Sequence, residues 1–396
     1  MDLHKKLEKL RESSAAMYIV PFVLLILPLV KTLFTGLGKV NGYYLIHYLY
    51  TYDRGFVPRG LVGEVISWFC DTVSDRTTGI VTFLFAVLLA VTATLCIGKA
   101  LNKVKNDSVR FKWVLGLIII LCILPFSFRM YYQDEKLDKI LWMLTLLAVF
   151  AADSKVGIWF APVLCVLAAL VNPVFLFCSM ILISIILLQK FYESRYSFKN
   201  GFICGMAYIP MIFIGIYGVI SEKKLGFKDP YELVSFYFSR YEGGFPKDFD
   251  KFETEWLFDY FEPLKKSFQL AYEIYFKDWG NGKTTILSTV FIAVPVISLL
   301  TYIWVKAIKA EENKFQKFIF FLCAVSPVVL IPPIAISWET SKYFGNNFLV
   351  QLCLIVYFCV HKNAAVLGTL NKIKDWCSEH LIISSVLVMY LAMFLI

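Results

Sequence analysis

The sequence predicts an all-α, polytopic transmembrane bundle of about eleven spans, and two observations carry that prediction. The first is composition. Of 396 residues, 59% are hydrophobic and 17% charged, with a mean hydropathy of +0.67, whereas soluble domains hold about 45–50% apolar and about 25% charged residues. The second is the recurrence of apolar runs, since a hydrocarbon core of about 30 Å takes roughly 17–25 residues to cross as a helix. The runs fall at 16–35, 77–98, 113–127, 139–152, 158–172, 174–189, 201–220, 286–305, 317–337, 347–361 and 381–396.

The first run is too long for a signal-peptide core and lacks a small-residue cleavage site, so a retained span is expected. The runs between 139 and 189 are short, which suits re-entrant or broken helices as well as clean crossings. Asn172-Pro173 separates two of them, where proline ends one helix and asparagine can cap the next. Basic residues set the orientation, because short cytoplasmic loops carry an excess of Lys and Arg. With a cytoplasmic N-terminus, the inner loops collect Lys5, Lys6, Lys9 and Arg11, then Lys99, Lys103, Lys105, Arg110 and Lys112, then Lys190, Arg195 and Lys199. The expected organisation is a cytoplasmic stretch over 1–15, an N-terminal membrane module over 16–220 with an outer loop at 36–76, an outer segment at 221–285, and C-terminal membrane helices over 286–396.

Several function classes drop out. The formal charge of +9 lies in the inner loops, where the topology rule puts it, so no nucleic-acid partner is expected. The ten cysteines include no CxxC pair and mostly sit in or beside apolar runs, where Cys acts as a small hydrophobe. The four histidines are scattered, with only His47 on the outer side. Neither a disulfide framework nor a histidine metal site is expected.

What topology leaves unexplained gathers on the outer face. Tyr52-Asp53-Arg54-Gly55-Phe56-Val57-Pro58-Arg59-Gly60 crowds three charges and two glycines into a turn beside the bilayer, where charge is costly unless a site uses it. An aromatic run, Tyr43 to Tyr50, precedes it and is suited to the headgroup region; Leu61 to Phe69 follows as a second short interfacial helix. Gly55 and Gly60 permit unusual dihedrals and close approach, and Pro58 stiffens the bend. The segment from Phe128 to Asp138 adds Arg129, Asp134, Glu135 and Asp138 ahead of the next run; acids there also simply favour a helix N-terminus. Residues 221–285 alternate aromatics such as Phe236, Tyr237, Phe238, Tyr241, Trp256 and Trp279 with charges. That pattern suits either a sugar-stacking surface or the core of a small helical cap. Glu339 and Lys342 stand in a last short outer turn, with Lys342 a candidate for a phosphate.

This arrangement resembles, in layout, the GT-C superfamily of polytopic membrane glycosyltransferases. In those enzymes the first outer loop follows the first span, carries interfacial helices and supplies a catalytic acid, and a second acid commonly precedes the fourth span. Asp53 matches the first position, and Asp134 or Glu135 the second. The resemblance implies transfer of a sugar from a polyprenyl-phosphate-linked donor to a glycan or lipid-linked acceptor, on the outer face of the plasma (inner) membrane among its lipids. Asp53 would act as base, with Asp134 and Glu135 as further catalytic acids. Arg59 and Arg54, with Arg129, Glu339 and Lys342, would form the substrate-binding set, because a guanidinium fork suits phosphate oxygens. No organic cofactor is implied, and a divalent cation is compatible with the acids. One base without a covalent intermediate gives inversion. Two other readings stay open: a polysaccharide (O-antigen or capsule) polymerase, which would share arginine-rich outer loops, and a secondary transporter, which would bury charges at mid-membrane.

Overall fold

A computed structural model describes residues 13–35, 42–57, 59–123, 137–221, 226–227, 230–245, 279–331, 340–386 and 389. Among these residues the chain is helical throughout, with a single isolated bridge between Val73 and Tyr241 as its only extended pairing. The helices are α1 (Ala16–Thr35), α2 (Gly42–Leu49), α3 (Leu61–Ser67), α4 (Asp75–Val104), α5 (Ser108–Ile123), α6 (Asp138–Ala152), α7 (Ala161–Val171), α8 (Met180–Glu193) and α9 (Phe198–Ser221). They continue with α10 (Pro230–Phe238), α11 (Trp279–Ala310), α12 (Lys314–Val325), α13 (Thr340–Val360) and α14 (Ala364–Glu379).

Local signals explain the boundaries. Ser74 caps α4 by accepting from the Thr77 amide, Asn313 caps α12 and Asn363 caps α14, each meeting an N–H that has no partner inside its helix. Asn172 stops α7 and caps the 3₁₀ turn Pro173–Leu176 through the Val174 amide, as the Asn-Pro pair leads one to expect. The interrupted runs between 139 and 189 become short helices: α6 has 15 residues and α7 has 11, each shorter than a hydrocarbon core.

Among the described residues three helices are long and apolar enough to cross a membrane: Asp75–Val104, Phe198–Tyr217 and Lys342–Val360. Two of them present apolar residues outward at helical spacing. Ile80, Leu84, Leu88, Val91 and Leu95 line one face of α4, and Phe202, Met206, Ile209, Phe213 and Ile216 one face of α9. Water would oppose such continuous stripes, and lipid tails would not. α13 is instead an interior helix, largely enclosed by its neighbours. Its Gln351 satisfies its amide on Cys323 O and Ser326 Oγ and accepts from Trp304, tying α11 and α12 to it.

The register comes from one carboxylate. Asp153, just past α6, meets Lys99 (3.4 Å) and Lys103 of α4, Lys190 of α8 (3.5 Å) and His361 beyond α13 (3.5 Å). Burial alone would raise its pKa, but the His361 hydrogen bond and the Lys103 and Lys190 charges outweigh it and hold the carboxyl well below its usual range. A depressed carboxylate stabilises the fold above its unfolded pKa of about 3.9 and loses that contribution only on strong acidification. The same end of the bundle holds Lys105 on Ser14, and Arg110 bonded to Asp107 and to Val360 O.

One expectation is corrected. The aromatic run of the first loop does not lie on the surface: in α2, Leu45, Ile46, Tyr48 and Leu49 are buried, as is Tyr50. Tyr48 reaches Thr82 of α4 at 3.0 Å. Apolar residues at 45, 46, 48 and 49 leave α2 little polar face, so it sinks into the protein. Among the described residues of this loop, Trp68 and Phe69, just after α3, are the exposed aromatics.

α2 and α3 cross at Gly63, where a Cβ would collide with the carbonyl oxygens of Tyr50 and Tyr48. At Gly116 of α5 a Cβ meets open space. Gly63→Ala is therefore expected to cost about 1–3 kcal/mol from overpacking. Gly116→Ala should be neutral or stabilising by up to about 1 kcal/mol. Unfolding of the two purified variants in detergent tests the contrast; equal stability would refute the crossing.

Candidate functional site

The turn between α2 and α3 is built from both sides. Asp53 is exposed and its Oδ2 accepts from the Thr51 hydroxyl at 2.6 Å; among the described residues it has no cationic partner. Glu64 of α3 accepts from the Tyr52 amide at 2.8 Å, which staples the turn to the helix. Tyr52 stacks on Phe56 with ring centroids 5.7 Å apart. Burial, then the Glu64 charge, push its phenol up to about 12, so it stays neutral at every physiological pH.

The glycines divide their work differently from the expectation. Gly55 takes a left-handed φ of 124°, as expected of it. Gly60 is ordinary right-handed backbone; its role is space, since a Cβ would lie 2.7 Å from the Tyr52 ring and 3.0 Å from Val57 O. The second left-handed position is Arg59 itself, at φ 67°, a conformation that side-chain-bearing residues seldom adopt and that the chain also takes at Arg195, Tyr196 and Lys362. Its Nη1 lies 3.2 Å from His47 Nε2. Arginine can only donate, so His47 accepts on Nε2 and carries its proton on Nδ1. Arg54 lies over two rings instead, 5.0 Å from Phe236 and 5.7 Å from Phe227.

Residues 230–245 hold this turn in place. Tyr237 packs edge-on against Tyr50 at 4.8 Å and donates to Thr51 O at 3.2 Å. Arg240 donates to Leu49 O at 2.7 Å. The Val73 amide donates to Arg240 O and Glu242 to Val73 O, and Tyr241 donates to Asp75. Burial, then the Asp75 hydrogen bond and charge, push the Tyr241 phenol to about 12. Of the two readings of the 221–285 aromatics, the cap core holds for Tyr237, Phe238 and Tyr241, whose rings pack within the protein. Trp256 lies outside the described residues.

A second polar cluster lies deeper. Lys342 of α13 pairs with Asp138 at the start of α6, and both side chains are largely covered, 11% and 5% exposed. One turn along each helix, Trp142 donates to Asn346 Oδ1 at 2.7 Å. Asn347 is buried with neither amide atom hydrogen-bonded, which leaves polar capacity unused beside the pair. Depth follows from register. Cys96 bonds to Leu146 O and Lys99 to Phe150 O, so α4 and α6 run parallel, and Asp138 sits level with about Leu88. That is roughly 20 Å below the start of α4 and about 12 Å past Ile80, the first exposed apolar residue of its stripe.

Of the expected site residues, Asp53, Arg54 and Arg59 do share one turn, although each has a different partner. Lys342 is not an open cation at the surface but the partner of Asp138. Arg129, Asp134, Glu135 and Glu339 lie outside the described residues. Sequence reasoning missed the parts played by His47 and Glu64; the one signal for Glu64 was a lone acid within an otherwise apolar short helix.

Residues 15–157 match a family model described as Uncharacterised membrane protein Rv1490, a stretch that takes in the Asp53 turn, Asp138 and Asp153. No curated protein and no solved structure matches the chain. The apolar helices and this likeness together identify a helical membrane protein.

Removing one partner of a buried ion pair strands the other charge, at a cost of about 3–5 kcal/mol, whereas replacing both is far cheaper. Lys342→Met alone should therefore destabilise the chain strongly, and adding Asp138→Asn should restore most of the loss. Thermal unfolding of the single and double variants measures this; additive losses would mean the two side chains are not coupled.

Proposed function

We propose that this chain is a GT-C-like glycosyltransferase of the plasma (inner) membrane, crossing it about eleven times with its N-terminus in the cytoplasm. It transfers a sugar from a polyprenyl-phosphate-linked donor to a glycan or lipid-linked acceptor at the outer face. The observation that supports this most is the Asp53–Arg59 turn. It carries an exposed carboxylate and a guanidinium in strained backbone, at the end of α4 opposite the lysine-rich Asp153 cluster. The positive-inside rule assigns the lysine-rich end to the cytoplasm and hence the turn to the outside.

In this reading Asp53 takes the proton from the acceptor hydroxyl as that oxygen attacks the anomeric carbon. The bond from that carbon to the phosphate oxygen breaks, and the phosphate leaves with the electron pair and inverts the centre. Arg59 offsets the growing phosphate charge, its plane oriented by His47. Thr51 holds the Asp53 carboxylate in one rotamer. Arg54, resting on Phe236 and Phe227, lends positive potential to the donor. Asp134 and Glu135 orient the acceptor or hold a divalent cation, with Arg129 and Glu339 among the substrate contacts. Lys342 acts through Asp138, positioning α13 against α6.

The buried Asp138–Lys342 pair favours a second reading, a secondary transporter, because intramembrane charge pairs often mark ion or substrate paths.

Asp53→Asn should lower sugar transfer by about 10²–10⁴-fold while leaving folding intact. Arg59→Lys, which exchanges a bidentate fork for a point charge, should raise the donor KM more than the acceptor KM. Mass spectrometry of lipid-linked glycans in a deletion strain carrying each variant, with kinetics on the active ones, reads both effects. Unchanged transfer by Asp53→Asn removes it as the base. Solute uptake by proteoliposomes, with glycans unchanged in the deletion strain, establishes the transporter instead.

A further inference from the structure

The Asp153 end of the bundle holds a feature that outer-face sugar transfer does not use. A cavity of about 110 Å³ runs between α4, α6, α8 and α13. Its inner wall is apolar, formed by Ala93, Leu146, Val149, Leu182 and Val356 among others, while Lys99, Lys103, Asp153 and His361 stand at its mouth. Along α4 the lining extends from Ala93 to Lys103, ten residues or about 15 Å of helix. We infer that this is a binding site for the phosphate head and first few methylenes of an amphiphile with an aliphatic tail, since the cavity is too small to enclose a whole tail.

The charge arrangement suits a head of that kind. The ammonium groups of Lys99, Lys103 and Lys190 surround the one carboxylate of Asp153, and Glu193 takes up part of Lys190 at 3.3 Å. Positive charge is therefore in excess, with His361 beside it. Exposure decides which sign a ligand meets: the Lys99 and Lys103 side chains remain 29% and 37% exposed, against 15% for Asp153. An approaching anion finds the lysines first, and the carboxylate lies behind them.

The Tyr357 hydroxyl supplies the second, independent sign. It is buried, lines the cavity and has no hydrogen-bond partner, and its ring lies 4.2 Å from that of His361. A buried phenol ordinarily finds an acceptor; a phosphate or ester oxygen seated under the lysines provides one. The apolar depth below gains nothing from a free phosphate and much from a tail. Basic pockets between membrane helices commonly hold anionic lipid headgroups in this way. Two sources carry the same chemistry, an anionic phospholipid and a prenyl phosphate. The inference needs only that the chain sits in a membrane and does not depend on the reaction proposed above.

Native mass spectrometry of the full chain in mild detergent tests it. The probes are phosphatidylglycerol, farnesyl phosphate, phosphatidylcholine and inorganic phosphate. At least one of the first two should bind at one copy per chain, about tenfold or more tighter than phosphatidylcholine, and inorganic phosphate should not compete. Preference for phosphatidylglycerol identifies the diacyl source, and preference for farnesyl phosphate the prenyl source. Lys99→Gln with Lys103→Gln should weaken binding about tenfold or more, Lys99→Arg with Lys103→Arg should retain it, and Lys372→Gln with Lys374→Gln on α14 should leave it unchanged. Tyr357→Phe should weaken it severalfold without altering stability in the lipid-free state. If the glutamine pair does not fold, Tyr357→Phe and the probe comparison on the wild-type chain decide. Equal binding of phosphatidylcholine, full competition by inorganic phosphate, or wild-type affinity in the folded glutamine pair would overturn the inference.

Discussion

The carboxylate of Asp153 draws together cations from α4, α8 and the end of α13, and through them it sets how far each of those helices extends along the bundle. Apolar helix faces slide past one another at little cost in lipid, because tails and side chains are equally apolar. A polar tie at one end removes that freedom. With the lower ends fixed, the upper ends follow from helix length: α4 rises well above α6, and α2 meets that upper part of α4 through Tyr48 and Thr82. The Asp138–Lys342 pair falls inside the apolar layer for the same reason, since α6 is half the length of α4.

The two ends of the bundle are built on different principles. The Asp153 end is held by charge, with lysines exposed around one shielded acid. The Asp53 end is held by hydrogen bonds to backbone carbonyls, made by Tyr237 and Arg240 to the stretch just before Asp53. Its charged side chains meet different neighbours: Asp53 accepts from a hydroxyl, Arg54 lies over two aromatic faces, and Arg59 lies beside an imidazole.

Much of the fold was legible in the residues. Apolar runs located α1, α6 and α9 to within a few residues, Asn172-Pro173 marked a true break, and Gly55 sat where a positive φ was needed; the run at 317–337 overshoots α12, which ends at Val325, and α14 falls between two runs. The turn itself was legible because charge and glycine are conspicuous in an apolar chain. Partners were not. Asp153 lies 50 residues from Lys103 in sequence, and nothing local distinguishes it from any acid after a helix. Lys342 read as a surface cation because its neighbours in sequence are polar; its burial depends on α6, some 200 residues away. α2 misled for a related reason: tyrosines favour both membrane interfaces and protein cores, and only the packing of α4 and α10 around it decides between them.

The central claim is that the Asp53 turn and the Asp153 cluster face opposite sides of the membrane, and two native cysteines report on it directly. Cys70 follows α3 at the Asp53 end, and Cys377 lies on α14, which begins just after His361 and bonds to Trp113 through Asn371; both are partly exposed. A membrane-impermeant maleimide added to intact cells, with labelled peptides read by mass spectrometry, should modify Cys70 alone, and Cys377 should react only after permeabilisation. Labelling of Cys377 in intact cells, with Cys70 protected, would invert the orientation and remove the outer-face site.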